Sequence, residues 1–199
     1  MQNTCIDFWQ MVWEQGCSLI VMLTDVVEEG KVKCCRYWPD QGTSTEYGPF
    51  EIYCDSDRMD GLCSTRRFIL RNNKMKEHRE VIQLQFLDWP EHNIPRTKAD
   101  FLRFVRRLHS YREGMNDPIV VHCSGGIDRT GVLIAMETAL SKMEIVEPLY
   151  PLEIVRIMRD QRGMMLPAVN QYRFFCECII QAYEEDYLEI ELSGVMTKH

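Results

Sequence analysis

The sequence predicts an α+β fold: a twisted mixed β-sheet with helices on both faces. Three observations lead to it. A short apolar run, Ile119-Val120-Val121, breaks through two glycines into a stretch of helical spacing, so that one strand feeds a helix directly. Upstream, Phe50-Ile52-Tyr53, Arg67 to Leu70 and Glu80 to Leu87 follow one another as strands of an antiparallel meander. From about residue 97 onward the apolar residues recur mainly at helical intervals.

Taken in order, Thr4-x-x-Asp7 reads as a capping box with Asp where Glu or Gln is usual. It opens a helix to about Gly16, with Phe8, Val12 and Trp9, Trp13 at helical spacing. Ser18 to Leu23 is an apolar run and reads as a central strand. Val26 to Gly30 is a turn, and Lys31 to Trp38 reads as a strand ending at Pro39. Residues 40 to 64 are polar and glycine-punctuated and take no clear pattern. Neither Val81, Leu84, Phe86 nor Ile82, Gln85, Leu87 alternates cleanly, so the strand from Glu80 is expected to be buried on both faces. Around it Arg66, Arg67, Arg71, Lys74, Lys76 and Arg79 form a basic cluster. That cluster reads either as a solvated hairpin or as a docking surface for acidic substrate flanks.

Thr97 to Tyr111 is helical, with Phe101, Phe104, Val105 and Leu108 inward and Arg103, Arg106 and Arg107 outward. Arg129 to Ser141 is helical through Val132, Leu133, Met136, Ala139 and Leu140. Pro151 sits where a helix begins, with Leu152, Val155, Ile157 and Met158 on its apolar side. The last helix spans roughly Val169 to Tyr187 and runs into an acidic tail.

The 199 residues are read as one domain, residues 1–199, large enough to bury about 70% of its unfolded surface. A net charge of −7 argues against nucleic acid as the main partner. No run of 18 apolar residues is present to form a transmembrane segment, and no basic stretch followed by an apolar one marks a signal peptide. Nine cysteines without framework spacing suit a reducing compartment, so a cytoplasmic location is expected. Cys34-Cys35 and Cys176-x-Cys178 lack a matching His or Cys pair for zinc, and no metal site is expected.

The chemistry concentrates where Ile119-Val120-Val121-His122 turns through Cys123-Ser124-Gly125-Gly126-Ile127-Asp128 into Arg129-Thr130. A glycine-rich loop between a strand and a helix N-terminus is an anion site, because loop amides and the helix dipole point at the same place. Such a cradle depresses a cysteine pKa, and the thiolate is the nucleophile. Arg129 supplies a planar fork for two phosphoryl oxygens.

This Cys-(five residues)-Arg-Thr motif preceded by His resembles the signature loop of the protein tyrosine phosphatases. Further blocks match in order: Asp7-Phe8-Trp9-Gln10-Met11-Val12-Trp13-Glu14, Ile20 to Thr24, Lys33-Cys34, Tyr37-Trp38-Pro39, Trp89-Pro90-Glu91-His92 and Met158-Arg159-Asp160-Gln161-Arg162. Tyr150-Pro151-Leu152-Glu153-Ile154-Val155 and the C-terminal helix look most like the non-receptor members that carry FERM and PDZ modules. The resemblance implies phosphotyrosyl proteins as partners and a two-step reaction without metal or other cofactor. By it, Cys123 attacks phosphorus, Arg129 holds the equatorial oxygens, and Ser124, Gly125, Gly126, Ile127 and Asp128 complete the cradle. Thr130 hydrogen-bonds the sulfur, and Glu91 protonates the tyrosyl oxygen. His122 either braces the loop or is merely structural. Lys33 either lies beside the site within reach of the acid loop or is a solvated strand lysine.

Four departures from the family pattern carry consequences. Glu91 replaces the usual aspartate, moving the acid by one methylene, roughly 1.5 Å; a misplacement near 1 Å can cost on the order of 100-fold. Asp128 stands where glycine is usual, and Gly125 where alanine is. An aspartate facing the phosphate would repel it by roughly 3 kcal/mol per charge pair at ~5 Å. Alternatively, Asp128-Arg129-Thr130 resembles the loops of myotubularin-type and Sac-type phosphoinositide phosphatases, which implies a proton donor, or the carboxylate turns to solvent or caps the helix. Pro167 replaces the glutamine that positions the attacking water, leaving Gln171 or Asn170 to substitute. Finally, the chain starts downstream of the segment that sets pocket depth in the family, so it reads as an N-terminally incomplete catalytic domain. Three functions are compatible with this: a slowed protein tyrosine phosphatase, a phosphotyrosine-binding pseudophosphatase, and a phosphoinositide phosphatase.

Overall fold

A computed structural model of the chain describes residues 4–87, 89–90 and 94–196, with side chains described as far as residue 185. The chain divides into two compact units, one drawn from Met1–Glu91 and Ser110–Gly126 and the other from His92–His109 and Ile127–His199. Together they give an α+β chain, as the sequence predicts.

The first unit holds the sheet. Its central strand β1 (Leu19–Met22) is buried at every position, because it lies between two parallel neighbours. These are β7 (Glu77–Phe86) and β8 (Ile119–His122). Outside β7 the chain folds back as an antiparallel meander of β6 (Cys63–Asn72), β5 (Phe50–Met59) and β4 (Ser44–Tyr47), giving the order β4-β5-β6-β7-β1-β8. Strands β5, β6 and β7 are each ten residues long and extend well beyond the short apolar runs expected, because their polar stretches pair in the ladder as well and exchange side-chain bonds such as Arg66 with Asp57 and Arg67 with Asp55. Close to expectation, β7 is buried at Val81 and Gln83–Phe86 and half-buried at Ile82, while its first four residues, Glu80 among them, are exposed.

Helix α1 (Cys5–Glu14) packs Trp9, Val12 and Trp13 into the core with Phe50, Ile52 and Phe68. Burying such large apolar side chains stabilises by about 1.5–3 kcal/mol each. The capping box does not form: Thr4 has helical backbone angles and its side chain makes no capping hydrogen bond. The strand expected over Lys31 to Trp38 shrinks to a two-residue hairpin, β2 (Val27–Glu28) with β3 (Lys31–Val32), turning at Glu29 (φ 49°) and Gly30 (φ 75°). Lys33 N still donates across the hairpin to Val26 O at 2.8 Å; beyond it the chain turns inward, burying Tyr37 and Trp38.

The basic cluster is a largely solvated hairpin: Arg67, Arg71, Lys74, Lys76 and Arg79 are exposed along β6, β7 and the turn between them, and Arg66 alone departs from that reading. Arg66 is buried and bonded to Asp57, Gln83 and Gln85. Arg67 pairs with Asp55 and Arg71 with Glu51. Arg79 stacks over Trp13 at 4.1 Å and donates to its carbonyl. For Arg66, Arg67 and Arg71 the acidic partners stand on the neighbouring strand, invisible in a linear reading.

The second unit is helical. Helices α2 (Lys98–Arg112), α3 (Asp128–Glu144), α4 (Pro151–Gln161) and α5 (Val169–Met196) form it, with α3 packed on α4 and α5. Phe101 of α2 meets Phe174 of α5 at 5.4 Å. Helix α4 starts at Pro151 as predicted, but its apolar face is narrower. Ile154, Val155 and Met158 are buried, while Leu152 (71%) and Ile157 (44%) are exposed. Helix α5 runs past Tyr187 to Met196, so the acidic stretch continues the helix. Among the described residues no helix is long and apolar enough to cross a membrane.

Candidate active site

Strands β1, β7 and β8 run parallel, so their carboxyl ends reach the same edge of the sheet, the edge where such sheets place ligands. His122 ends β8 opposite Met22, and Leu23 N donates to His122 O at 2.9 Å. Cys123 is therefore the first residue off β8, the strand that ends the sheet order beside the central β1. It is 6% exposed, while Ser124 and Gly125 that follow are open to solvent. The loop turns back at Gly126, whose φ of +65° lies where side chains are strained, and Gly126 N donates to Cys123 Sγ at 3.2 Å. A hydrogen bond onto the sulfur favours its charged form.

Two contacts brace this loop from the 33–38 segment. Ser124 Oγ donates to Lys33 O at 3.1 Å, and Tyr37 Oη lies 2.8 Å from His122 Nε2. The other ring nitrogen, Nδ1, lies 3.2 Å from Cys123 O. Burial holds the His122 pKa below its ordinary value, against the pull of its bond to Cys123 O. Burial likewise pushes the Tyr37 phenol far above its usual range. Lys33 is half-buried and contacts the loop through its backbone. After β7, Trp89 is buried edge-on against Phe86 at 6.0 Å. Glu91 lies outside the described residues, so the acid expected there has no structural account.

In the second unit Ile127 precedes α3, whose first turn carries Asp128, Arg129 and Thr130. Arg129 and Thr130 are buried; Asp128 is half-buried at the helix N-terminus, where a carboxylate is favoured by the dipole. Gly131 is demanded by packing: a Cβ there would come within 2.6 Å of Leu166 N. A Cβ at Gly125 would meet nothing within 4 Å, so that glycine has no packing reason. The segment before Pro167 is tied down firmly. Leu166 N donates to Ile127 O at 3.2 Å, and Arg159 donates to Met165 O and Leu166 O, each at 2.9 Å. Gln171 is 1% exposed and its Oε1 has no hydrogen-bond partner.

The sequence reading passed over Gln83 and Gln85, which carry polar chains through the sheet. Their signal was there: two amides, two residues apart, in an otherwise apolar strand, where each buried polar group needs partners. Among the described residues no group of three His, Cys, Asp or Glu could hold a metal ion, and all nine cysteines are free thiols.

A family model described as protein-tyrosine phosphatase matches residues 1–181. Tyrosine-protein phosphatase non-receptor type 4 of Mus musculus is 48% identical over 189 residues, 95% of this chain and 20% of the relative. Tyrosine-protein phosphatase 1 of Caenorhabditis elegans is 49% identical over 185 residues, 93% of this chain and 18% of the relative. Receptor-type tyrosine-protein phosphatase S of Gallus gallus is 38% identical over 198 residues, 99% of this chain and 13% of the relative. The chain thus spans about a fifth or less of these curated relatives. The likeness to non-receptor members read from the sequence agrees with the type 4 match, and the chain belongs to the protein-tyrosine phosphatase family.

Proposed function

We propose that this chain is a single cytoplasmic catalytic domain that hydrolyses phosphotyrosine in proteins through a phosphocysteine, with slow release of phosphate. In the first step Cys123 Sγ bonds to phosphorus while the bond to the tyrosyl oxygen breaks, Glu91 supplying the proton. In the second, water attacks phosphorus and the sulfur leaves as thiolate, with Thr130 hydrogen-bonding it. Arg129 and the Ser124–Asp128 loop hold the oxygens throughout. The single observation that carries this reading is the amide of Gly126 donating to Cys123 Sγ at 3.2 Å, directly after β8. A nucleophile needs its sulfur facing loop amides, and the Gly126 bond supports that arrangement.

A second reading, phosphotyrosine binding without useful turnover, is favoured by Pro167, which has no side-chain donor or acceptor in place of the water-positioning glutamine. Rapid mixing with an aryl phosphate separates the two. A burst near one equivalent of phenol followed by slow turnover supports the enzyme; binding with no phenol released supports the second reading.

A further inference from the structure

We propose that Arg66 is a positioning residue: through Gln83 and Tyr37 it decides which nitrogen of His122 carries the proton, and so holds the first peptide of the Cys123 loop. The consequence for chemistry rests on Cys123 being the nucleophile; the chain of bonds does not.

The direction of each bond follows from what its groups can do. A guanidinium has donors only. Arg66 Nη1 lies 2.8 Å from Oε1 of both Gln83 and Gln85, so both amides must turn their oxygens toward it. Gln83 then presents Nε2 to Tyr37 Oη at 2.6 Å. An amide nitrogen only donates, so the phenol oxygen accepts and its one proton goes elsewhere. Two acceptors are in reach: His122 Nε2 at 2.8 Å and Met22 Sδ at 4.0 Å. A thioether is a weak acceptor, and at that distance the imidazole wins. Nε2 is therefore the bare nitrogen, and the proton of the neutral ring sits on Nδ1, 3.2 Å from Cys123 O. Burial, which disfavours the charged ring, acts in the same sense.

The anchor is itself fixed. Arg66 Nε donates to Asp57 Oδ2 at 2.8 Å, Ser64 Oγ holds Asp57 Oδ1 at 2.6 Å, and the guanidinium lies over Trp38 at 4.8 Å. At the far end, a planar trans peptide puts its N–H on the edge opposite its C=O. Holding Cys123 O against His122 therefore turns the amide of Ser124 away from His122. Gln85 carries a second branch, donating to Thr24 O at 3.1 Å and Asp25 Oδ1 at 2.8 Å. One buried cation thus polarises amides that reach two loops at the carboxyl edge of the sheet.

The test is the histidine tautomer, read from ring ¹⁵N shifts of the full chain near neutral pH. In the wild type, His122 should show a pyridine-like Nε2 and a pyrrole-like Nδ1. Gln83→Glu is isosteric but has no proton to give: one oxygen takes the Arg66 donor and the other takes the Tyr37 proton. The phenol oxygen then faces Nε2 as an acceptor, and the pyridine-like Nε2 signal should be lost, with the Ser124 backbone amide resonance shifting alongside. A wild-type ring protonated on Nε2 alone overturns the proposal without any variant. So do unchanged ring shifts in a folded Gln83→Glu, or a tautomer change that leaves Ser124 unmoved. None of these readouts needs turnover, so a chain inactive on aryl phosphate with the expected tautomer would sink the proposed function and not this inference.

Discussion

The backbone nitrogen of Leu166 lies 2.6 Å from where a Cβ on Gly131 would sit, so the second turn of α3 and the segment before Pro167 touch backbone to backbone. Neither side can yield cheaply, because Arg159 and Ile127 O already hold that segment. Gly131→Ala should destabilise by about 1–3 kcal/mol, as overpacking does. Equilibrium urea unfolding checks it. A midpoint unchanged from wild type would mean that the two segments part freely.

The same anchoring bears on Pro167. If the vacant glutamine role slows the second step, Pro167→Gln should raise the steady-state rate and leave the burst rate nearly unchanged. Stopped-flow release of an aryl leaving group measures both. A linear time course that this substitution does not alter would place the slow step at attack on phosphorus, with Asp128 the next residue to examine.

Glu91→Ala should lower the burst rate on a phosphotyrosyl peptide by about 10²–10⁴, the usual contribution of a positioned acid. A much smaller loss is expected with an aryl phosphate whose phenol leaves readily. Were both rates unchanged, Asp128→Asn would be the substitution to compare.

Removing Arg66 should cost stability as well as position. Arg66→Met leaves Asp57, Gln83 Oε1 and Gln85 Oε1 without their shared donor. Breaking a buried pair typically costs 3–5 kcal/mol, and because Asp57 is a third exposed the loss should fall near ~3 kcal/mol. Chemical denaturation reads it directly. A loss under ~1 kcal/mol would show that water replaces the guanidinium.

His122 sets a pH dependence. Its folded pKa lies below the ordinary value, so as pH falls below about 6.5 the unfolded chain binds a proton that the folded one refuses. Stability then falls with pH until the folded pKa is reached. The urea-midpoint advantage of wild type over His122→Gln should shrink between about pH 7.5 and pH 5.5. An advantage constant over that window would mean that His122 titrates alike in both states.

What the sequence determined by itself was local. The run from Ile119 to Leu133 announces strand, loop and helix because apolar run, glycines and helical period are all contiguous. Cys123 at the end of a strand follows from that pattern, as do the central place of Ser18 to Leu23 and a helix starting at Pro151. The apolar run reads as a buried strand, but β8 is half-buried at all four positions because it ends the sheet order. Tertiary structure decided what depends on partners far along the chain. Arg66 reads as one cation in a basic cluster until β5 brings Asp57 and β7 brings Gln83 and Gln85 to it. Leu152 reads as core until the packing of α3 leaves it outside, and Thr4 reads as a cap until its backbone adopts helical angles. A hydrogen bond has direction and needs a specific atom within about 3 Å, and periodicity carries no information about an atom 85 residues away, which is the separation between Tyr37 and His122.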